Sequence, residues 1–178
     1  MIDQVKEKIC EVKDFPTPGV GFKDITPFVQ DPKCYNYVID EMVSWAQKKN
    51  PQIVVGIESR GFLFAAPVAH RLRSGVAIIR KRGKLPRDTL CLKAPNEYAT
   101  EYFEMHKDSI SKFQRVLIVD DLIATGSSSI SAIDIVKKLG GQVVGFETVI
   151  ELTFLKGKEN IKKSHPDAEV HSLIEFSE

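Results

Sequence analysis

The chain has few of the residues that build covalent or metal frameworks. Its three cysteines, Cys10, Cys34 and Cys91, are spread over 178 residues. An odd number, wide spacing and no CxxC pair argue against a disulfide framework or a zinc knuckle. A reducing, cytoplasmic compartment is the expectation. The four histidines show no metal-ligand spacing; His70 is expected on a helix surface and His106 beside a strand. Charge of one sign is also missing. Lys plus Arg is 25 and Asp plus Glu is 24, for a formal net charge of +1, whereas nucleic-acid domains are usually markedly basic. No apolar run approaches the roughly 18 residues needed to span a bilayer. The N-terminal MIDQVKEKICEVKDF is too charged for a signal peptide. Neither a nucleic acid nor a membrane is expected as a partner, and no internal repeat or low-complexity segment appears.

What is present is an ordinary hydrophobic fraction of 43% in a chain long enough for one domain, 1–178, with a full core. Val5, Ile9 and Val12 share a helical face and predict an N-terminal helix. The following FPTPGVGFKDITP, residues 15–27, holds three prolines and two glycines and is predicted to lack regular structure. Asp31-Pro32 reads as an N-cap with proline in the first turn. The helix it opens carries the stripe Tyr35, Val38, Ile39, Met42, Val43 and Ala46. Ile53–Ile57 and 76–79 read as buried strands, with a helix over Phe62–Leu72 between them that contains Pro67. Residues 81–100 are charged, carry Pro86 and Pro95, and are predicted to form a long, mobile loop. Strands follow at Tyr102–His106, 116–119, 143–150 and 171–176. Ile130, Ile133, Val136 and Leu139 mark a helix stopped by Gly140-Gly141. Strands alternating with helices predict an α/β fold, a mainly parallel sheet flanked by helices. Ligands in such sheets bind beyond the carboxyl ends of the strands.

The stretch RVLIVDDLIATGSSSISA, residues 115–132, carries the chemistry. A buried strand leads into Asp120 and Asp121, and the turn after them offers Ala124, Thr125, Gly126, Ser127 and Ser128. Gly126 permits backbone angles closed to other residues. The hydroxyls and the free N–H groups of the following helix make a phosphate cradle. No Gly-Lys-Ser/Thr follows, so this is not a Walker loop. Two carboxylates beside such a cradle make sense as acceptors for sugar hydroxyls or as partners of Mg2+. A ribose 5-phosphate satisfies both halves. An ordinary capped helix after an acidic turn fits the same letters.

The strand followed by Asp-Asp-Leu-Ile-Ala-Thr-Gly resembles the phosphoribosyl-diphosphate motif of the type I phosphoribosyltransferases. FPTPGVGFKDITP, GIESRGFLFAAPVA, IRKRGKLP, NEYATEYFEMHKD and IELTFLKG lie in the order and spacing of the adenine phosphoribosyltransferase family, and the likeness covers about residues 15–176. The resemblance implies the type I phosphoribosyltransferase fold, with an N-terminal hood at 1–30, a mobile loop at 81–101 and a homodimer. It implies a purine-salvage enzyme using Mg2+, in which adenine and 5-phosphoribosyl 1-diphosphate give AMP and pyrophosphate. It assigns the diphosphate to Ser59, Arg60, Lys81 and Lys84, with a cis peptide between Ser59 and Arg60. Catalysis falls to Glu97, Tyr98 and Arg60, and adenine to Gly21, Phe22, Lys23, Leu122 and Leu155. The ribose hydroxyls fall to Asp120 and Asp121, which would also supplement an Mg2+ held mainly by substrate.

By themselves, Arg60 also fits a surface arginine, Glu97 a solvated loop carboxylate, Leu155 a core residue and the basic run 80–84 a solvated cluster. Hypoxanthine–guanine enzymes usually have Asp where this chain has Ala124, which cannot transfer a proton. The chain departs from the family at Ser127 (a second glycine in the family), at Gly21 and Lys23 (a bulky apolar residue and Arg) and at Ala99 (glycine). Action on another purine and a non-catalytic diphosphate sensor are the alternatives. The chain has no spare length for the DNA-binding module such sensors often add.

Overall fold

The computed structural model describes residues 1–19, 21–95 and 100–177. The chain packs as two compact units, Met1–Glu41 and Met42–Glu178.

In the first unit, α1 spans Ile2–Glu7, β1 Cys10–Val12, β2 Phe22–Asp24 and α2 Thr26–Gln30, and α3, Pro32–Ala46, carries the chain onward. The expected N-terminal helix therefore stops at Glu7. Val5 and Ile9 are buried, but Val12 is 39% exposed. Cys10–Val12 pairs antiparallel with Phe22–Asp24, and the period of two turns Val12 away from the helical face. The segment expected to be irregular supplies β2 and α2. Its prolines and glycines sit at bends or at the start of α2, where a missing N–H costs nothing. Asp31 caps α3 as predicted, its Oδ1 accepting from the Lys33 and Cys34 N–H groups at 2.9 and 3.1 Å.

The second unit is built on β3 (Ile53–Ile57), α4 (Phe62–Leu72), β4 (Gly75–Lys81), β5 (Thr89–Lys93), β6 (Tyr102–His106), β7 (Arg115–Ile123), α5 (Ser127–Lys138), β8 (Gln142–Leu152), α6 (Gly157–Ser164) and β9 (Val170–Phe176). The sheet order is β5-β6-β4-β3-β7-β8-β9. The run β4-β3-β7-β8-β9 is parallel, and β6 lies antiparallel to both β4 and β5. The apolar runs predicted this: every residue of β3 is buried, and so are Val116 to Val119 in β7. Ile130, Ile133 and Val136 of α5 join Val55, Ile118 and Phe146 in one core. Each such side chain contributes about 1.5–3 kcal/mol on burial.

Three expectations change. β4 is not a fully buried strand: Val76 is 53% exposed, because β6 pairs only with Arg80 and Lys81. Residues 81–100 are not all loop. They contain β5, whose Leu90 and Leu92 lie opposite Met105 and Phe103 and pack on the core; the charges and prolines around them mask a two-residue period. Strand β7 also continues beyond Val119, through both aspartates to Ile123, because β8 keeps pairing with it as far as Ile123↔Glu151.

Glu147 of β8 is fully buried. Its Oε1 lies 3.2 Å from His171 Nδ1, and Trp45 stacks on that imidazole at 5.0 Å. Burial pushes the Glu147 carboxyl up to about 7, against the pull of His171. A carboxyl raised in the folded state binds more protons there than when unfolded. Its ionisation therefore costs stability progressively from about pH 4.5 to about 7, and the cost is complete above that. Glu147→Gln should raise the melting temperature at pH 8, and the gain should vanish below pH ~4.5. Thermal melts across that range measure it.

Candidate active site

Strand β3 ends at Ile57, and Glu58 N–H still donates to Ile79 O at 2.9 Å. The chain then bends sharply through Ser59, Arg60 and Gly61 into α4. The cis peptide lies between Glu58 and Ser59, one bond earlier than expected. Gly61 allows the bend to press against β7. A Cβ there would sit 2.5 Å from Ile57 O and 2.8 Å from Asp120 Oδ1. Arg60 is thereby laid beside the paired aspartates, its Nη2 2.8 Å from Asp121 Oδ2.

Asp120 and Asp121 are each 6% exposed. Asp120 Oδ1 accepts the Asp121 N–H at 2.9 Å. Burial and then the neighbouring Asp121 charge push the Asp120 carboxyl well up. Burial pushes Asp121 up too, with Arg60 opposing it. Beyond them, Gly126 takes φ +84 and serves as N-cap of α5, which has no side-chain cap. The Thr125 and Ser127 hydroxyls lie 3.3 Å apart. An ordinary side-chain-capped helix is therefore not what the sequence encodes here. Backbone N–H groups and hydroxyls converge at the end of a positive helix dipole, a ready anion site.

Seven of the predicted residues, Ser59, Arg60, Lys81, Lys84, Asp120, Asp121 and Ser128, line one cavity of about 430 Å³, together with Ile57, Glu58, Glu101 and Phe103. That is the size of a small-molecule site. Ala124 to Gly126 form the turn into α5 and Ser127 begins the helix; these four do not line the cavity, which they adjoin through Ser128. Leu122 and Leu155 are half-buried and do not line this cavity. Gly21, Phe22 and Lys23 belong to the first unit. There Phe22 meets Phe15 edge-to-face at 5.1 Å, and the Lys23 ammonium lies 3.2 Å from Glu11. Glu97 and Tyr98 lie outside the described residues.

The sequence reading missed the acidic partners of the cations. Lys81 pairs with Glu101 at 2.8 Å. Lys84 pairs with Glu58, and Arg80 Nε lies 3.4 Å from the same carboxylate. Burial alone would raise Glu58, but Lys84, the Lys81 N–H and Arg80 hold it below the usual carboxylate range. A lone Glu after the apolar run 53–57 was the available signal. Asn160 was also missed; its Nδ2 donates to Thr125 O at 3.0 Å and so ties α6 to the turn.

Residues 35–178 match the phosphoribosyl transferase domain family. The chain is 44% identical over 172 residues to an adenine phosphoribosyltransferase of Clostridium tetani, covering 97% of this chain and 98% of that one. The chain belongs to the adenine phosphoribosyltransferase family. Among solved members, the enzyme of Thermoanaerobacter pseudethanolicus superposes with a TM-score of 0.93 at 41% identity, covering 99% of this chain and all (100%) of that one. The Saccharomyces cerevisiae enzyme, solved with an imino-altritol bisphosphate and adenine, gives 0.88 at 32% identity over 97% and 98% of the two chains.

Within this family, Ser127 at the usual second glycine is the departure the geometry explains. Its side chain adds a hydroxyl beside Thr125 in the first turn of α5. The first glycine has no such latitude. A Cβ on Gly126 would lie 2.7 Å from Gly157 O, and φ +84 disfavours any other residue by about 1–2 kcal/mol. Gly126→Ala should lower stability by at least that amount. It should also weaken binding of ribose 5-phosphate, as calorimetry would show. Gly21 is exposed at the edge of β2, and Ala99 lies outside the described residues.

Proposed function

We propose that this chain transfers the phosphoribosyl group of 5-phosphoribosyl 1-diphosphate to adenine, giving AMP and pyrophosphate, a reaction of purine salvage. The observation that carries this reading is the convergence of a helix N-terminus without a side-chain cap, two buried aspartates and three cations on one cavity. The helix end holds the 5-phosphate through Ala124, Thr125, Gly126, Ser127 and Ser128. Asp120 and Asp121 accept the ribose hydroxyls. Ser59, Arg60, Lys81 and Lys84 receive the diphosphate, and Arg60 takes its oxygens with a planar fork.

The C1′–oxygen bond breaks with its electron pair leaving on diphosphate, and positive charge builds on the sugar, as in glycoside chemistry. Arg60 and Lys84 stabilise the departing charge. Adenine N9 forms the new bond to C1′, and the purine proton passes to Glu97, with Tyr98 beside it in sequence. Ala124 itself has no group to do this, and Asp120 and Asp121 are taken by the ribose hydroxyls. Phe22 stacks on adenine, with Gly21 and Lys23 reading its edge and Leu122 and Leu155 supplying apolar walls; the family resemblance supports these assignments.

Mg2+ fits this donor set. Asp120 and Asp121 offer hard carboxylate oxygens, and no cluster of three or more metal-binding side chains occurs among the described residues. Substrate oxygens would therefore supply most ligands, and the ion would neutralise diphosphate charge. A homodimer is what the family resemblance implies. Free Cys10, Cys34 and Cys91 suit a cytoplasmic setting. The test offers the protein 5-phosphoribosyl 1-diphosphate, Mg2+ and each purine in turn. AMP should form from adenine far faster than nucleotide forms from hypoxanthine or guanine. No AMP from adenine would refute the proposal.

A further inference from the structure

Lys84 lines the cavity from a segment between β4 and β5 that lies in neither helix nor strand, past a single backbone tie to β6 in which the Arg82 N–H donates to Tyr102 O at 3.0 Å. At Lys84 and Leu85 themselves the main chain is held by Glu104, in the middle of β6 and outside the cavity lining. Glu104 is 4% exposed. Its Oε1 accepts the backbone N–H groups of both Lys84 and Leu85 at 2.9 Å each. Its Oε2 takes the Thr89 hydroxyl at 3.3 Å. From the other side, Arg80 Nη1 donates to Lys84 O at 3.3 Å. Burial would raise the Glu104 carboxyl, but the N–H donors of Leu85 and Lys84, followed by Thr89, hold it below the ordinary range. A buried carboxylate thus replaces the missing secondary structure, binding main chain and leaving the lysine side chain free. The lysine ammonium rests on Glu58.

We infer that Glu104 is a positioning residue for the diphosphate: it fixes the main chain at Lys84 and Leu85, so that the Lys84 ammonium can exchange Glu58 for a diphosphate oxygen without the turn moving. The inference rests on the reading that this cavity takes diphosphate. Neither Glu58 nor Glu104 needs to touch the reacting atoms. Glu58 is the resting counter-ion, and Glu104 is the anchor that makes the exchange a side-chain rotation.

The test measures inorganic pyrophosphate binding by calorimetry, and steady-state kinetics for both substrates, in Glu104→Ala, Glu104→Gln and Lys84→Ala. Losing charge-assisted bonds to two N–H groups should weaken pyrophosphate by about tenfold in Glu104→Ala. The KM for 5-phosphoribosyl 1-diphosphate should rise by a similar factor, while the KM for adenine stays within about twofold. Glu104→Gln keeps an acceptor oxygen toward both N–H groups and should stay within about threefold of wild type. Adding Glu104→Ala to Lys84→Ala should cost less than about twofold more, since both act through one side chain. A merely structural role would give no such coupling. If Glu104→Ala does not fold, Glu104→Asp, one methylene too short to reach both N–H groups, replaces it. Unchanged pyrophosphate affinity in the folded variant, or full additivity with Lys84→Ala, would overturn the inference. A wild-type protein that binds no pyrophosphate would instead remove the reading of the cavity beneath it.

Discussion

Glu97→Gln should lower kcat by about 10²- to 10⁴-fold, the range that positioned general acid–base groups supply, and leave pyrophosphate binding within about threefold. The argument is chemical. Adenine carries a proton that must leave as N9 bonds to C1′, and Ala124 offers no group to take it. Both aspartates of the cavity lie buried against Gly61 and Arg60 and serve the ribose in the proposed arrangement. Glutamine keeps the shape of Glu97 and removes only the proposed base. Single-turnover kinetics separate the chemical step from binding. A variant with unchanged kcat would place the base elsewhere.

Arg60→Ala should lower kcat/KM by about 10²- to 10³-fold, the usual loss when one preorganised electrostatic donor is removed. Two effects combine. The departing diphosphate loses a forked donor. Asp121 also loses the charge that opposes its burial, so its carboxyl shifts further up and becomes a poorer acceptor for a ribose hydroxyl. Arg60→Lys should recover only part of the loss, because a compact ammonium cannot reproduce a planar fork. Measuring both variants as a function of pH exposes the second effect: the Arg60→Ala defect should deepen as the pH falls.

Much of the fold was legible because its signals are local. The short apolar runs at 53–57 and 116–119 fit strands buried on both faces, and Asp31-Pro32 and Gly140-Gly141 mark helix ends by backbone chemistry. The failures come from tertiary pairing. Cys10–Val12 has a helical pattern up to the point where Phe22–Asp24 claims it as a partner. Residues 89–93 gain strand character only against Phe103 and Met105. In the cavity, the aspartates and the glycine–hydroxyl stretch leading to Ser128 were visible from residue chemistry, whereas Ser59, Arg60, Lys81 and Lys84 came only through the family resemblance. The counter-ions were visible in neither way. Glu58 and Lys84 are 26 residues apart, and Glu104 acts through backbone N–H groups, which a sequence does not display. The cis bond lies one residue earlier than the resemblance implied, at Glu58-Ser59.

The most direct test of the central claim is a crystal structure of the protein with Mg2+, ribose 5-phosphate and pyrophosphate. The 5-phosphate should lie within roughly 2.7–3.2 Å of the N–H groups and hydroxyls of residues 125–128. The ribose hydroxyls should meet Asp120 and Asp121, and the pyrophosphate should meet Arg60 and Lys84, with the Lys84–Glu58 pair broken. A 5-phosphate bound among Arg60, Lys81 and Lys84, with the helix end at Ser127 to Ser129 empty, would contradict the account.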